Sequence, residues 1–438
     1  MRTRTTAARL GTVVLVSLLA MGALAPGASG SARTKPRIFI AHRDGPVAIL
    51  EGVFGYIGAL RLPQGRWVLV ATLTLENTST TGVDSVCELK LGASSFRAEA
   101  FPATSGVPLP VTLMTVGRST GTSSARVRCV AYGGSLLLEA SDLEILAIQA
   151  GRVTTYDLND GSTSRVGHLD AGVRVVTGLL DGARLAGSPG SDTVAEMPLP
   201  AGEWVHLGVA NVGSQAASNG SVECRLDAGG DFDIGQVRVE SQNFSGSVQT
   251  LTLAVAHSYA SPGSVRLDCW SELSSTAAAI GDIQFVALRA GVLTNRGGGG
   301  QWTLGDAANG PRMLVGWDNG PDPLKTTMSP IGTLDVPSGA WAGFAKTWLQ
   351  RSSGLTDTAS CQVRFAGAPI GRSAAGVLAT GSGNSLTDHT VAAAAAGTAA
   401  SPTQLVVRCA GGPAAADLQS RFLKMVAIRG GSVTRRAA

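Results

Sequence analysis

Six cysteines are the residues whose spacing most directly implies chemistry. They form three couples along the chain, separated by 42, 45 and 48 residues: Cys87 and Cys129, Cys224 and Cys269, Cys361 and Cys409. Two cysteines without paired histidines cannot complete a tetrahedral zinc shell. Buried free thiols are an alternative, but in an exported chain the pattern favours three disulfides. Six cysteines allow 15 pairings, and the internal repeat described below favours pairing within each couple.

Histidines could supply a general base or a metal ligand. The chain has five: His42, His168, His206, His257 and His389. No two have the spacing of metal ligands, and none recurs at an equivalent position of the repeat, so we expect exposed strand or loop residues. The alternative is a hydrolase with a site in one copy only, in which His257 or His168 would share a cleft with a carboxylate.

Two further motifs have weak chemical meaning. Residues 117–121 match G-x-S-x-G, but no helical pattern follows them, as a nucleophile elbow requires. Acidic residues at 157–160 and 227–233 resemble calcium loops without the spacing of an EF-hand, so ordinary Asx turns are the favoured interpretation. No cofactor motif is present. We therefore predict a protein that is not an enzyme, with no catalytic, cofactor or metal residues.

The tryptophans divide into two groups. Trp67, Trp204 and Trp341 lie 137 residues apart and begin strands that alternate inward, so we expect them in the core. Four tryptophans do not recur: Trp270, Trp302, Trp317 and Trp348. An exposed indole can stack on a sugar ring or on a protein partner. We single out Trp302 and Trp317 as candidate ligand-binding residues.

The spacing of these residues is part of a threefold internal repeat. Like the tryptophans, the first cysteines of the couples are 137 residues apart, while the second cysteines are 140 apart. Each tryptophan follows a similar string: Leu62-Pro63-Gln64-Gly65, Leu199-Pro200-Ala201-Gly202 and Val336-Pro337-Ser338-Gly339. We predict copies at 36–150, 151–290 and 291–438, with one disulfide inside each copy.

The elements that position these residues read as short strands. Val222, Cys224 and Leu226 alternate with Glu223 and Arg225, and many Gly, Ser and Thr residues mark turns. Such alternation, with one face in water, is typical of antiparallel sandwiches. The sequence therefore predicts an all-β protein of three tandem antiparallel, jelly-roll-like β-sandwich repeats.

Residues 1–32 predict a signal peptide. Arg2, Arg4 and Arg9 precede an apolar run from Leu10 to Ala25, which is short for a membrane span, and small residues follow up to Ala32. An uncleaved anchor is the alternative. We expect a secreted, extracellular chain with no membrane span after cleavage. Without the three arginines the chain is nearly neutral, which gives it no electrostatic footprint for nucleic acid.

The repeat resembles a group of actinobacterial secreted proteins of unknown function that carry an LPAG-aromatic string and paired cysteine strands. More distantly, it resembles the jelly-roll domains of the tumour-necrosis-factor and complement type. Thr250-Leu251-Thr252-Leu253 followed by Gly263-Ser264-Val265-Arg266-Leu267 matches their hairpin best. Because such domains associate about a threefold axis, the resemblance implies that three copies form a pseudo-trimer within one chain.

These features predict a non-catalytic structural or binding protein of the bacterial envelope or the extracellular space. Its partner would be an unidentified protein or glycan, bound by loops on a rigid scaffold. A carbohydrate-binding protein for cell-wall or environmental glycan is the first alternative, and a secreted hydrolase is the second. Tryptophans exposed together on one sheet face would favour the glycan-binding alternative.

Overall fold

The computed structural model describes the residues 35–78, 83–100, 107–133, 138–166, 172–182, 184–185, 192–214, 220–239, 248–271, 278–297, 300–306, 310–351, 358–365, 371–372, 388–412 and 418–438. The predicted signal peptide and His168 lie outside these ranges. Residues Arg33–Ala438 form one compact unit. Within the described ranges, no helix has the length and apolar character needed to cross a bilayer.

All regular secondary structure in the described residues is β-structure, as predicted. The segment predicted as the first copy, 36–150, contains β1 (Arg37–Arg43), β2 (Val47–Ala48), β3 (Gly55–Leu62), β4 (Gly65–Asn77), β5 (Asp84–Leu91), β6 (Ser94–Ala100), β7 (Val107–Ser119), β8 (Ser123–Tyr132) and most of β9 (Leu138–Asp157), which runs past the predicted boundary. The second predicted copy contains β10 (Thr163–Val166), β11 (Val173–Leu180), β12 (Arg184–Leu185), β13 (Asp192–Leu199), β14 (Gly202–Ser214), β15 (Gly220–Ala228), β16 (Asp231–Val239), β17 (Val248–Tyr259), β18 (Gly263–Ser271) and β19 (Ala278–Arg289).

The segment predicted as the third copy, 291–438, contains the remaining strands. They are β20 (Val292–Gly297), β21 (Gly300–Gly305), β22 (Arg312–Asp318), β23 (Asp322–Pro323), β24 (Ser329–Val336), β25 (Gly339–Arg351), β26 (Ala359–Phe365), β27 (Gly371–Arg372), β28 (Asp388–Ala399), β29 (Thr403–Gly411), β30 (Leu418–Gly430) and β31 (Ser432–Ala437). Two residues separate β20 from the end of β19, and one residue separates β31 from the end of β30.

Two sheet types recur along the chain. Inner sheets run in the orders β7-β4-β9-β1, β17-β14-β19-β11 and β28-β25-β30-β22. Outer sheets run in the orders β3-β8-β5-β6, β13-β18-β15-β16 and β24-β29-β26-β27. Neighbouring strands within these orders are antiparallel, and apart from the consecutive pairs β5–β6, β15–β16 and β26–β27 they are distant in sequence, which is the strand order of a jelly roll. The predicted jelly-roll architecture is confirmed at this level.

The three predicted disulfides are present, each inside one copy. Cys87 pairs with Cys129, Cys224 with Cys269, and Cys361 with Cys409. Each bond joins directly opposite residues of adjacent outer-sheet strands, on the face that covers the core. In the chain-entropy model a closed loop of this length stabilises by roughly 4 kcal/mol.

The recurring tryptophans are completely buried, as predicted. Each indole N–H donates a hydrogen bond to the carbonyl of the proline four residues earlier: Trp67 to Pro63, Trp204 to Pro200 and Trp341 to Pro337. The glycine between them has a positive φ of 154°, 133° or 135°, which favours glycine. The string Pro-x-Gly-x-Trp is therefore one turn that starts β4, β14 or β25, the second strand of each inner order, and that satisfies its own buried indole donor.

The inner sheets are buried on both faces, which corrects the expectation of one wet face. Every residue from Trp67 to Leu75 on β4 is buried. The face turned away from the outer sheet, here called the axial face, carries Val68 and Val70 in the first copy. Its equivalents Val205, Leu207, Ala342 and Phe344 belong to the same buried apolar cluster. The three inner sheets therefore share one core, whereas the outer-sheet strands do alternate between buried and exposed residues.

Long strands link consecutive copies. The second half of β9 leaves its own sheet and pairs in parallel with β11, from Ala150 and Val173 to Asp157 and Leu179. β20 pairs in parallel with β22 in the same way. β31 pairs in parallel with β1, from Arg37 and Ser432 to His42 and Ala437. The end of β9, the strand β20 and the strand β31 thus each lie beside the outermost strand of an inner order, namely β11, β22 and β1, and the last of these pairings joins the end of the chain to its first strand.

Candidate ligand-binding site

The strand β20 brings Trp302 and Trp317 together. Asn295 on β20 is directly opposite Trp302 on β21, and Gly297 is opposite Trp317 on β22. Residues two apart on a strand share a face, so the two indoles and the Asn295 side chain lie on one face of this ladder. Gly297 is required here, because a Cβ at this position would lie 1.9 Å from the Trp317 ring.

The two tryptophans line a cavity of about 530 Å³ between the second and third copies, here called the seam pocket. Its other lining residues come from β16 and its turn, β17, β20, β22 and β30: Gly230, Asp231, Phe232, Val255, Ala256, Asn295, Val315, Asn319 and Lys424. Both indoles are half-buried. The volume lies within the roughly 300–1,000 Å³ range of small-molecule sites.

Lys424 fixes one wall of the seam pocket. Its ammonium donates to the Phe232 carbonyl at 3.1 Å and lies 5.2 Å from the Trp317 ring centroid, a cation–π distance. Burial lowers the pKa of Lys424, while Asp233 and Asp231 oppose that shift. The contact holds the Trp317 ring against the third copy.

A buried ion pair lies behind this wall. The Lys346 ammonium is 2.8 Å from Asp233 Oδ1 and donates to the Ile234 carbonyl at 2.6 Å, and both side chains are fully buried. Asp233 Oδ2 also accepts the Ala254 N–H at 2.8 Å. Burial lowers the pKa of Lys346 to about 8 and raises that of Asp233. These contacts fasten β16 of the second copy to β25 of the third.

The same register position differs at the other two junctions. In the third copy Trp317 is directly opposite Lys424. The equivalent pairs are Leu179 and Gln284 in the second copy, and His42 and Glu144 in the first. The positions of Asn295 and Trp302 are taken by Thr155 and Ser164 on β9 and β10. Among the described residues, the aromatic pair therefore belongs to one junction only.

His257 lies in a second cavity, of about 540 Å³, lined also by Glu196, Asp227 and Tyr259. Its Nδ1 is 2.8 Å from Asp231 Oδ2. A cleft with histidine and carboxylate is what the hydrolase alternative requires. However, Nε2 faces the backbone: a Cβ on Gly229 would lie 2.5 Å from it. The nitrogen that would activate a nucleophile thus lies close to the Gly229 backbone.

Two other histidines contradict the expectation of exposed positions. His206 is 1% exposed, and neither ring nitrogen has a hydrogen-bond partner within the described part of the chain. Burial lowers its pKa to about 3. His389 is also buried. His206 lies on the core face of β14, where the first copy has Leu69, so the apolar alternation of that strand could have revealed it.

His42 is partly exposed and lies between two carboxylates. Its Nδ1 is 3.1 Å from Glu144 Oε2, and its Nε2 is 2.6 Å from Asp44 Oδ1. The hydrogen bond to Glu144 raises the pKa of His42 to about 9. Burial raises the pKa of Glu144 to about 7. His42 and Glu144 lie where β31 pairs with β1, and their interaction was not predicted from the sequence.

The remaining motifs are structural. Ser119 of the G-x-S-x-G string is completely buried at the end of β7 and donates to the Gly121 carbonyl at 2.7 Å. Asp157 and Asp160 accept the N–H groups of Asn159 and Ser162, as in Asx turns. Within the described residues, no group of three or more metal-ligating side chains converges.

Comparisons with known proteins add no identity. No family model and no curated protein matches the chain. A protein described with a triple jelly roll fold and turret assembly in an archaeal virus has 10% identity, a TM-score of 0.20 and coverage of 89% of this chain and 86% of that one. The atomic structure of Sulfolobus Turreted Icosahedral Virus has 9% identity and a TM-score of 0.19, and the match covers 88% of this chain and 85% of that one. Scores this low carry no argument, so the resemblance to actinobacterial repeat proteins stays a prediction and the jelly-roll description rests on the strand order.

Proposed function

We propose that this protein is a secreted, non-catalytic binding and structural protein of the bacterial envelope or the extracellular space. Three jelly-roll copies, at 36–150, 151–290 and 291–438, form an intramolecular pseudo-trimer that presents loops and junctions to a partner. The observation that carries the proposal is the single apolar cluster that unites the axial faces of all three inner sheets. Such a core makes a rigid support for binding surfaces.

Cyclic contacts support the pseudo-trimer. Asn211 on β14 donates to the Arg97 carbonyl of the first copy at 3.3 Å, and Lys346 of the third copy bonds Asp233 of the second. Arg435 on β31 donates to the Ala396 carbonyl of the third copy at 2.8 Å, while its strand pairs with β1. Edge strands of the first and second copies thus meet the inner sheet of the next copy, and β31 of the third pairs with the inner sheet of the first.

Three disulfides support an extracellular location, because such bonds persist in oxidising compartments. A non-catalytic role is supported by how the ionisable side chains are used. Asp233, Glu144 and Asp231 each contact a cationic or histidine side chain of the same protein. The described hydrogen bonds of His42 and His257 go to carboxylates, whereas a nucleophile pair joins a histidine to a hydroxyl or thiol.

The second candidate function is carbohydrate binding. It is favoured by the position of Trp302 and Trp317, which lie on one sheet face and line one cavity. This is the arrangement that distinguishes a glycan-binding protein from a purely structural one.

The proposal can be tested by co-sedimentation of the chain from Arg33 to Ala438 with bacterial envelope fractions and with insoluble cell-wall polysaccharides. We expect saturable, reversible binding, with the recovered polymer unchanged in length and in its number of reducing ends. New reducing ends or released acyl groups, lost on His257→Gln, would instead establish the hydrolase. Absence of saturable binding to every fraction would refute a binding role.

A further inference from the structure

The seam pocket contains a polar group that the protein leaves unused. The Asn295 side chain is only 9% exposed, and its Oδ1 is buried without a hydrogen-bond partner among the residues that the structure describes. A buried acceptor of this kind costs stability unless a donor reaches it. Asn295 lines the pocket, so a rotation of its amide would present Oδ1 to a donor bound there.

Two apolar surfaces lie on the same face as this acceptor. Trp302 is directly opposite Asn295, and Trp317 is opposite Gly297, two residues further along β20. Val255, Ala256 and Val315 add apolar surface. A ligand that fits must therefore combine a flat apolar face with at least one hydroxyl or N–H group near its edge.

The charges around the pocket balance. Asp231 and Lys424 line it, and Asp233 and Lys346 form the buried pair behind them. Two carboxylates and two ammonium groups leave no net charge to attract an ion. His257 is bonded to Asp231 at the rim. A strongly anionic or cationic ligand would meet an unfavourable partner on one wall whichever sign it carried.

We propose that the seam pocket binds one neutral pyranose unit of a glycan, with a face of the sugar ring stacked on Trp317 or Trp302 and a hydroxyl donating to Asn295 Oδ1. The C–H groups of a pyranose face supply the apolar surface, and its equatorial hydroxyls supply donors in the ring plane. This inference rests on the proposed binding function and assigns it a site and a ligand class.

Among the residues that the structure describes, the site occurs at one junction. At the junction of the first and second copies the equivalent residues are Thr155, Ser164 and Leu179, which offer neither an indole nor an amide. At the closure of the chain, His42 and its carboxylate partners occupy the position of Trp317. A 1:1 stoichiometry is therefore expected despite the threefold repeat.

The test is calorimetric titration of the chain from Arg33 to Ala438 with methyl pyranosides of glucose, galactose, mannose and N-acetylglucosamine, and with the matching uronides. We expect 1:1 binding of at least one neutral pyranoside, with the uronide at least about tenfold weaker and an affinity nearly independent of salt. Trp317→Ala and Asn295→Leu should each weaken binding at least about tenfold.

Asn295→Leu provides a readout that a structural role would not give. Since it removes an unsatisfied buried acceptor, its melting temperature should be no lower than that of the wild type while binding is lost. Trp270→Ala, which removes a half-buried indole outside the pocket, is the matched control and should leave affinity unchanged. If Trp317→Ala fails to fold, Trp302→Ala on β21 replaces it.

The outcomes separate this inference from the proposed function. Binding that persists in folded Trp317→Ala or Trp302→Ala and in Asn295→Leu overturns the site, and tighter binding of the uronide overturns the neutral ligand. A flat panel overturns the inference, while envelope co-sedimentation independently decides the proposed function. A stoichiometry of three ligands per chain would also contradict the inferred single site.

Discussion

His206 is a polar side chain in an otherwise apolar core. Its ring meets Tyr259 edge-on, at 5.9 Å between centroids, and both ring nitrogens are unpartnered within the described residues. Leu69 occupies the equivalent position of the first copy and is completely buried. We predict that His206→Leu stabilises the protein by about 1–3 kcal/mol at neutral pH, measured by urea unfolding, because the imidazole loses its solvation without gaining a partner.

The pH dependence of this variant provides a control. The folded pKa of His206 is about 3, below the unfolded value of 6.5, so only the unfolded state takes up a proton as the pH falls through this range. The wild type should therefore lose stability relative to His206→Leu as the pH falls from 6.5 towards 3. Leu69→His, which adds a buried histidine, should instead lose stability relative to the wild type over the same pH range. A pH-independent difference would mean that His206 finds a partner on protonation.

His42 has the opposite linkage. The folded pKa of His42 is about 9 because it bonds two carboxylates, so its stabilising contribution is lost as the pH rises through 9. Since the pKa of Glu144 is about 7, both partners are charged between these two values. We predict that His42→Gln destabilises by roughly 1–2 kcal/mol at about pH 7.5, after a discount for solvent screening, and by almost nothing well above pH 9. An NMR titration of the imidazole that gave a value near 6.5 would contradict this prediction.

At the scale of elements, the ion pair between β16 and β25 distinguishes one junction from another. The positions of Asp233 and Lys346 correspond to Phe96 and Val209 at the preceding junction, which both lie in the shared apolar cluster. We predict that Lys346→Met destabilises by about 3–5 kcal/mol, because it leaves the Asp233 carboxylate buried without its ion-pair partner. Equilibrium unfolding of the purified chain measures the loss.

The double variant decides whether charge is the cause. Asp233→Asn with Lys346→Met removes both charges, and the asparagine oxygen can still accept the Ala254 N–H. We expect it to recover most of the stability lost in Lys346→Met, since replacing both members of a buried pair is often neutral. A loss equal to the sum of the single variants would instead attribute the effect to packing.

Local patterns predicted the elements well and their environment less well. The Pro-x-Gly-x-Trp strings predicted where β4, β14 and β25 begin, since the turn depends only on adjacent residues. The one wet face predicted for the strands is wrong for the inner sheets. The run Trp67-Val68-Leu69-Val70-Ala71 carried the signal, because an uninterrupted apolar stretch is typical of strands buried on both faces. Trp67, Leu69 and Ala71 alternate with two valines, and this period of two accounts for the prediction of one buried and one exposed face.

The candidate site was only partly predictable. Trp302 and Trp317 were singled out because they break the repeat, and a residue that departs from a repeated scaffold is free to serve a function. Asn295 and Lys424 were missed, because their meeting depends on the parallel pairing of β20 with β22 and on the approach of the second copy. The ion pair between Asp233 and Lys346 joins residues of different copies, which no local pattern encodes.

At the scale of the whole molecule, the shared axial cluster has a thermodynamic consequence. No copy can separate from the others without exposing its axial face to water; in the second copy that face carries Val205, Leu207 and Val209. We predict that the chain from Arg33 to Ala438 is a monomer that unfolds in one calorimetric transition, with a van't Hoff to calorimetric enthalpy ratio near 1. Its radius of gyration should be about 22 Å.

Two matched substitutions distinguish one cooperative unit from three independent domains. Phe344 lies in the shared axial cluster, whereas Phe365 lies in the separate core of the third copy, and both are about equally buried. If the copies unfold together, Phe344→Ala and Phe365→Ala should each lower the same single transition, by about 3–5 kcal/mol of stability. Independent domains would give an enthalpy ratio near one third. In that case Phe365→Ala would shift one transition of three and Phe344→Ala would shift none.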